Sequence, residues 1–135
     1  MQQDKLETLN TKQILINENR NPKRFDLEDR TYEFAKRTRD YIRKLPKTPF
    51  NIEIGGQLFR SAGSVGENYI EANEALGKKD FIMRIKISKK ETKESIYWLK
   101  LSEPQSFLEK EKLSLIQEAT ELMKIFGSIA VKYQV

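Results

Sequence analysis

Apolar residues recur at spacings of three and four along most of the chain, the period of helices buried along one side. Four such runs can be read. The first follows Asp26, a residue suited to an N-cap, with Glu28 and Asp29 in the turn where negative charge is favoured. Its stripe is Leu27, Phe34, Ala35, Thr38, Tyr41, Ile42 and Leu45, and Pro46 ends it. Thr48 and Pro49 then open a second helix as N-cap and first helical residue, with a stripe of Ile54, Leu58, Ala62, Val65, Tyr69, Ala72 and Leu76. Gly77 breaks it. A third run holds Phe81, Ile85, Ser88, Thr92, Ile96 and Leu99, with Pro104 just beyond. The fourth holds Leu113, Ile116, Ala119, Leu122, Met123, Phe126, Ile129, Ala130 and Tyr133. No segment alternates like a strand. Short connections favour antiparallel neighbours, so residues 26–135 are expected to form an all-α, antiparallel up-down-up-down four-helix bundle. Residues 1–25 read as a polar arm with one apolar cluster, Ile14-Leu15-Ile16.

Helices two and three carry more apolar surface than one core needs. At about 100° per residue, Ile52, Phe59, Gly66 and Ile70 gather to one side of the second helix's core stripe, with Gly63 just beyond. On the third helix Met83, Ile87, Trp98 and Leu101 stand apart from the core stripe. A second stripe of this kind needs another surface to cover it. Gly63 and Gly66 each cost about 1 kcal/mol in a helix interior, which close approach at a helix crossing would offset. These nine residues are therefore the expected interface between copies of the chain. The alternative is a wide core in which helix two touches several neighbours.

Charge sharpens the picture. The net charge is +5. Residues 77–100 alone carry eight basic and three acidic groups, while the segments on either side are net negative. Lys79, Lys86, Lys90, Lys93 and Lys100 form a stripe about thirty ångströms long on the third helix, with Lys89 and Tyr97 beside it. Such a stripe can track a phosphate backbone, with the tyrosine ring free to stack on a base. Lys79, Lys86, Lys89, Lys90, Lys93 and Tyr97 are thus the candidate contacts to RNA or DNA. Ion pairing with acidic helix faces accounts for the same residues equally well. The second helix supplies such a face in Glu53, Glu67, Glu71 and Glu74.

Composition excludes several chemistries. With no Cys and no His, the chain has no Ser-His-Asp or Cys-His pair and no thiolate or imidazole zinc site. Glu67 with Glu71, and Glu91 with Glu94, have spacings that leave an all-oxygen Mg²⁺ or Ca²⁺ site open. Solvated or ion-paired acids are the more ordinary use, and no metal or cofactor is expected. Gly55-Gly56 lies in a helical pattern without the frame of a phosphate loop. No catalytic residue emerges. The opening residues lack the apolar core of a signal peptide, and no run approaches a membrane span, so a cytoplasmic protein is expected.

The stretch from Gln57 to Ala72, QLFRSAGSVGENYIEA, carries a resemblance, supported by Lys78-Lys79-Asp80-Phe81, Lys90-Glu91-Thr92-Lys93-Glu94 and Tyr97-Trp98-Leu99. It resembles the four-helix-bundle proteins encoded by intervening sequences in bacterial 23S ribosomal RNA genes, a family that includes accessory proteins of diversity-generating retroelements. The usual pattern is QLxRSAxSIxxNIAEG. Gln57, Leu58, Arg60, Ser61, Ala62, Ser64, Asn68 and Glu71 keep it; Val65, Tyr69-Ile70 and Ala72 depart from it. The resemblance implies an antiparallel bundle that assembles into a ring, typically a pentamer, and implies no catalytic activity. For the retroelement branch it implies nucleic-acid binding beside a reverse transcriptase. Arg60, Glu67, Asn68 and Glu71 then read as a polar network fixing register within or between subunits, or as the lining of a binding site.

Overall fold

The computed structural model describes residues 26–133, and the arm read over residues 1–25 lies outside them. The described residues form four α-helices and no strand: α1 (Leu27–Arg43), α2 (Pro49–Asn73), α3 (Lys78–Leu101) and α4 (Glu109–Lys132). A 3-10 turn, Ser106–Leu108, leads into α4.

The helix starts follow their caps. Asp26 Oδ1 accepts the Asp29 amide at 2.8 Å. Thr48 Oγ1 accepts the Asn51 amide at 3.1 Å, with Pro49 at the first helical position. Gly77 precedes α3 in an extended conformation without a side-chain cap. Two expectations need correction, one of boundary and one of phase. Helix α2 ends at Asn73, where the Glu74 amide closes on the carbonyls of Ile70 and Glu71, so Leu76 falls in the connection and is fully exposed. On α4 the buried phase is Leu115, Ala119, Leu122, Phe126 and Ala130. Leu113 lies about 160° from Leu115 at helical pitch and faces out.

From Thr31 onward the core is built of Phe34, Tyr41, Leu58, Val65, Ile85, Leu99, Leu115, Leu122 and Phe126, all essentially inaccessible to solvent. Phe126 of α4 meets the Tyr69 ring of α2 with centroids 5.9 Å apart, and Phe81 of α3 meets Tyr133 edge-on at 5.6 Å.

Small polar residues set the α2–α3 register. Ser61 and Ser95 hydroxyls bond at 2.9 Å, Ser88 donates to the Val65 carbonyl at 2.9 Å, and Arg84 donates to Asn68 Oδ1 at 3.0 Å. Each step forward on α2 thus meets a step back on α3. Short hydroxyl side chains let the two helices approach while satisfying every buried oxygen in these contacts. At one end, buried Asn51 donates to the carbonyls of Pro46 and Glu103 and accepts the Glu103 amide, each at 3.0 Å. Beside it Tyr41 and Ser102 hydroxyls bond at 2.6 Å. Burial raises the Tyr41 phenol pKa above its ordinary value, and the Ser102 bond only partly opposes this.

Candidate nucleic-acid and self-association surfaces

Helix α3 turns Ile85, Ser88, Thr92, Ser95 and Leu99 inward. The helical period therefore sends Lys79, Lys86, Lys90, Lys93 and Tyr97 outward, and all are exposed. Among the described residues no salt bridge involves Lys79, Lys86, Lys89, Lys90 or Lys93. Lys89 is set apart from the others: its side chain reaches α4, with Nζ 3.6 Å from where a Cβ on Gly127 would stand.

The basic stripe meets the second apolar stripe of α3 at Met83 and Ile87. Lys79, Lys86 and Lys90 surround Ile82, Met83 and Ile87 in an open depression of about 460 Å³. Spacing in the sequence keeps these groups apart and places Ile82 in neither. Its position three residues before core Ile85 was the available signal. Tyr97 stands edge-on to Trp98 at 5.0 Å, and the Trp98 Nε1 is buried with no hydrogen-bond partner among the described residues.

The expected interface residues divide. Ile52, Phe59, Ile70, Met83 and Leu101 are exposed, while Ile87 and Trp98 are half-buried. A Cβ on Gly63 would meet nothing within 4 Å, so that position is open to an approaching surface. Gly66 belongs elsewhere. A Cβ there would stand 2.9 Å from Thr31 Oγ1, so the close approach is to α1 of the same chain. Helix α2 is in this respect the central helix of the wide-core alternative.

The four motif residues do not join one another within the chain. Asn68 is buried, donates to the Ser64 carbonyl at 2.9 Å and accepts from Arg84, a partner the sequence reading missed. Arg60 is exposed and bonds Gln57 Oε1 at 2.5 Å. Glu67 and Glu71 face solvent. The reason is angular: Asn68 sits at the α2–α3 seam, about 80–100° around the helix from Arg60 and Glu67. Arg60 and Glu67 do act on Glu91. Its carboxyl is raised above the ordinary range first by burial, then by Glu94 and more weakly by Glu67, against the opposing charges of Lys90 and Arg60. Among the described residues no group of three or more acids converges as a metal site. No described helix is long and apolar enough to cross a membrane.

A second depression, of about 370 Å³, lies between the end of α1 and the start of α2. Ile42, Leu45, Pro46, Ile52 and Phe59 form its walls, and Arg39, Arg43 and Lys47 its rim. Of these, only Ile52 and Phe59 belong to the second apolar stripe legible in the sequence.

The family model of the 23S rRNA-intervening sequence protein matches residues 23–128. Among solved structures, one from Bacteroides thetaiotaomicron, described as a protein with unknown function from the S23 ribosomal protein family, is 30% identical. It superposes with a TM-score of 0.66, covering 76% of this chain and 93% of that one. No match is found among curated proteins.

Proposed function

The chain belongs to the 23S rRNA-intervening sequence protein family, and we propose that it is a non-enzymatic, self-associating four-helix bundle whose α3 lysine face holds nucleic acid. Its carrying observation is the α3 surface itself. Lys79, Lys86, Lys90 and Lys93 are exposed and make no salt bridge among the described residues, and the first three flank an apolar floor on which a base or a sugar can rest. The α2–α3 register supports the antiparallel arrangement. A pentameric ring is the assembly that the family resemblance implies. The exposed apolar residues Ile52, Phe59, Ile70 and Leu101, outside that floor, together with open Gly63, support self-association independently.

The charge arithmetic explains why assembly matters. Four lysines on one subunit give nonspecific binding in the range of about 10⁻⁴–10⁻⁶ M, with a salt slope of about −3 to −4. Copies presenting the same face to one strand gain about 10²–10⁴ through avidity. In the retroelement branch the strand would be one handled by a reverse transcriptase. A second reading assigns the same lysines to ion pairs with the acidic α2 face, Glu67, Glu71 and Glu74, of a neighbouring copy, which leaves a purely protein-binding adaptor. The exposure of those carboxylates favours it.

Light scattering on the wild type tests assembly: a mass near five times the 15.9 kDa chain is expected, and a 15.9 kDa species at micromolar concentration contradicts it. Titration with a mixed-sequence single-stranded RNA at two salt concentrations tests binding. Affinity should fall steeply with salt, and salt-independent or absent binding contradicts the lysine face.

A further inference from the structure

We propose that the α3 lysine face takes an unpaired strand of nucleic acid and not a duplex, with one base stacked on Tyr97. This rests on the nucleic-acid reading above and names the form of the strand that it leaves open.

Tyr97 stands within the lysine line. At about 100° per residue, Lys79, Lys86, Lys90 and Lys93 all lie within about 40° of it around α3. The residue is 58% exposed, and Trp98 braces its ring edge-on at 5.0 Å. A braced ring loses little freedom when a base stacks on it. Ile87, in the apolar depression, lies about 15 Å earlier along the helix axis, with Lys90 and Lys93 between. Cationic and apolar positions thus follow one another along one face, so an unpaired strand can set both phosphates and bases on it.

The two flanks of this line differ in charge. The three acids of α3, Asp80, Glu91 and Glu94, lie about 60–120° round from Tyr97. They mark the α2 side, where Arg60 and Glu67 act on Glu91. On the other side Lys89 reaches Gly127 of α4, and Lys112 of α4 donates to the Lys100 carbonyl at 3.3 Å. A strand is therefore held on the lysines and towards α4.

The same face lacks what a duplex needs. Apart from lysine on guanine, base edges in a major groove are read chiefly by Arg, Asn and Gln. Helix α3 has no Asn or Gln, and its one arginine, Arg84, is engaged with Asn68 at 3.0 Å. In a duplex the faces of the bases are covered by their stacked neighbours, so Tyr97 and the apolar depression gain nothing from it.

The test is a titration of the full chain with a mixed-sequence RNA strand, alone and annealed to its complement, for the wild type, Tyr97→Ala and Tyr97→Phe. The wild type should bind the lone strand more tightly. Charge alone predicts the reverse order, because a duplex carries one phosphate per about 1.7 Å. Tyr97→Ala should lose about fivefold or more on the strand. It should keep its salt slope, since no charge is removed, and bind the duplex as the wild type does. Tyr97→Phe should bind the strand as the wild type does. Trp98 is the only tryptophan in the chain, so its emission should change on adding the strand and not on adding the duplex. Equal wild-type affinity for strand and duplex, unaltered strand binding by Tyr97→Ala, or a loss shared by the duplex overturns the stacking inference and leaves the lysine face standing. Binding of neither form overturns both.

Discussion

Gly66 lies so close to Thr31 that a Cβ on it would stand 2.9 Å from the threonine Oγ1 and 3.2 Å from its Cβ. Thr31 is buried and β-branched, so it has no flexible end with which to yield. Gly66→Ala gains about 1 kcal/mol of helix propensity and meets an overpacking cost of about 1–3 kcal/mol. The variant is expected to be less stable by about 1 kcal/mol in urea unfolding.

Gly63 provides the opposite sign from the same residue type. With nothing within 4 Å of its would-be Cβ, Gly63→Ala should stabilise the isolated chain by about 0.5–1 kcal/mol. Gly63→Leu should leave the fold intact and weaken self-association, read as a concentration-dependent mass.

Asn51 makes three bonds of 3.0 Å: its Nδ2 donates to the Pro46 carbonyl before α2, and two bonds with the Glu103 backbone, one donated and one accepted, join α2 to the segment after α3. Asn51→Ala is expected to cost about 2–3 kcal/mol. Asn51→Asp should cost at least as much at neutral pH, because a carboxylate would face the carbonyls of Pro46 and Glu103. Its favourable place near a helix start, about 0.3–1 kcal/mol, is too small to offset this. Part of the loss should return as the pH falls towards about 4, the ordinary carboxyl value, because the folded chain protonates the buried acid before the unfolded chain does. Denaturant midpoints at pH 7 and pH 4 check both points.

Glu91 has a folded-state pKa raised by burial and by Glu94. Over the window from its ordinary value up to that raised value, the folded chain holds the proton more tightly than the unfolded one. Stability therefore falls as the pH rises through the window and stays lower above it. Glu91→Gln should raise the thermal midpoint at pH 7, with the difference closing towards pH 4.

Helix existence was legible in the sequence because caps and a 3.6-residue period are local, and so was phase except in the first turns of α4, where Leu115 and not Leu113 is buried. Asp26, Thr48 and Pro49 announced two starts correctly. The end of α2 was not legible, since Leu76 kept the period after the backbone had already turned at Glu74. Polar core positions were half-legible. Ser88 and Thr92 lay on the apolar stripe, whereas Ser61, Asn68 and Ser95 are buried only because two helices meet along that seam. The lysine face followed from periodicity. Its merging with Met83 and Ile87 did not, because that depends on how widely the core stripe opens on α3. The depression between α1 and α2 was illegible for a stronger reason: its lining comes from two helices and the bend between them.

The most direct measurement compares RNA binding by the wild type with that of the Lys86→Glu/Lys90→Glu/Lys93→Glu variant, by filter binding at two salt concentrations, with assembly of both proteins checked by light scattering. The lysine-face account predicts a variant assembled like the wild type that has lost most of its affinity and nearly all of its salt dependence. Equal affinity in an equally assembled variant would contradict it, and a variant that falls apart would assign the lysines to contacts between subunits.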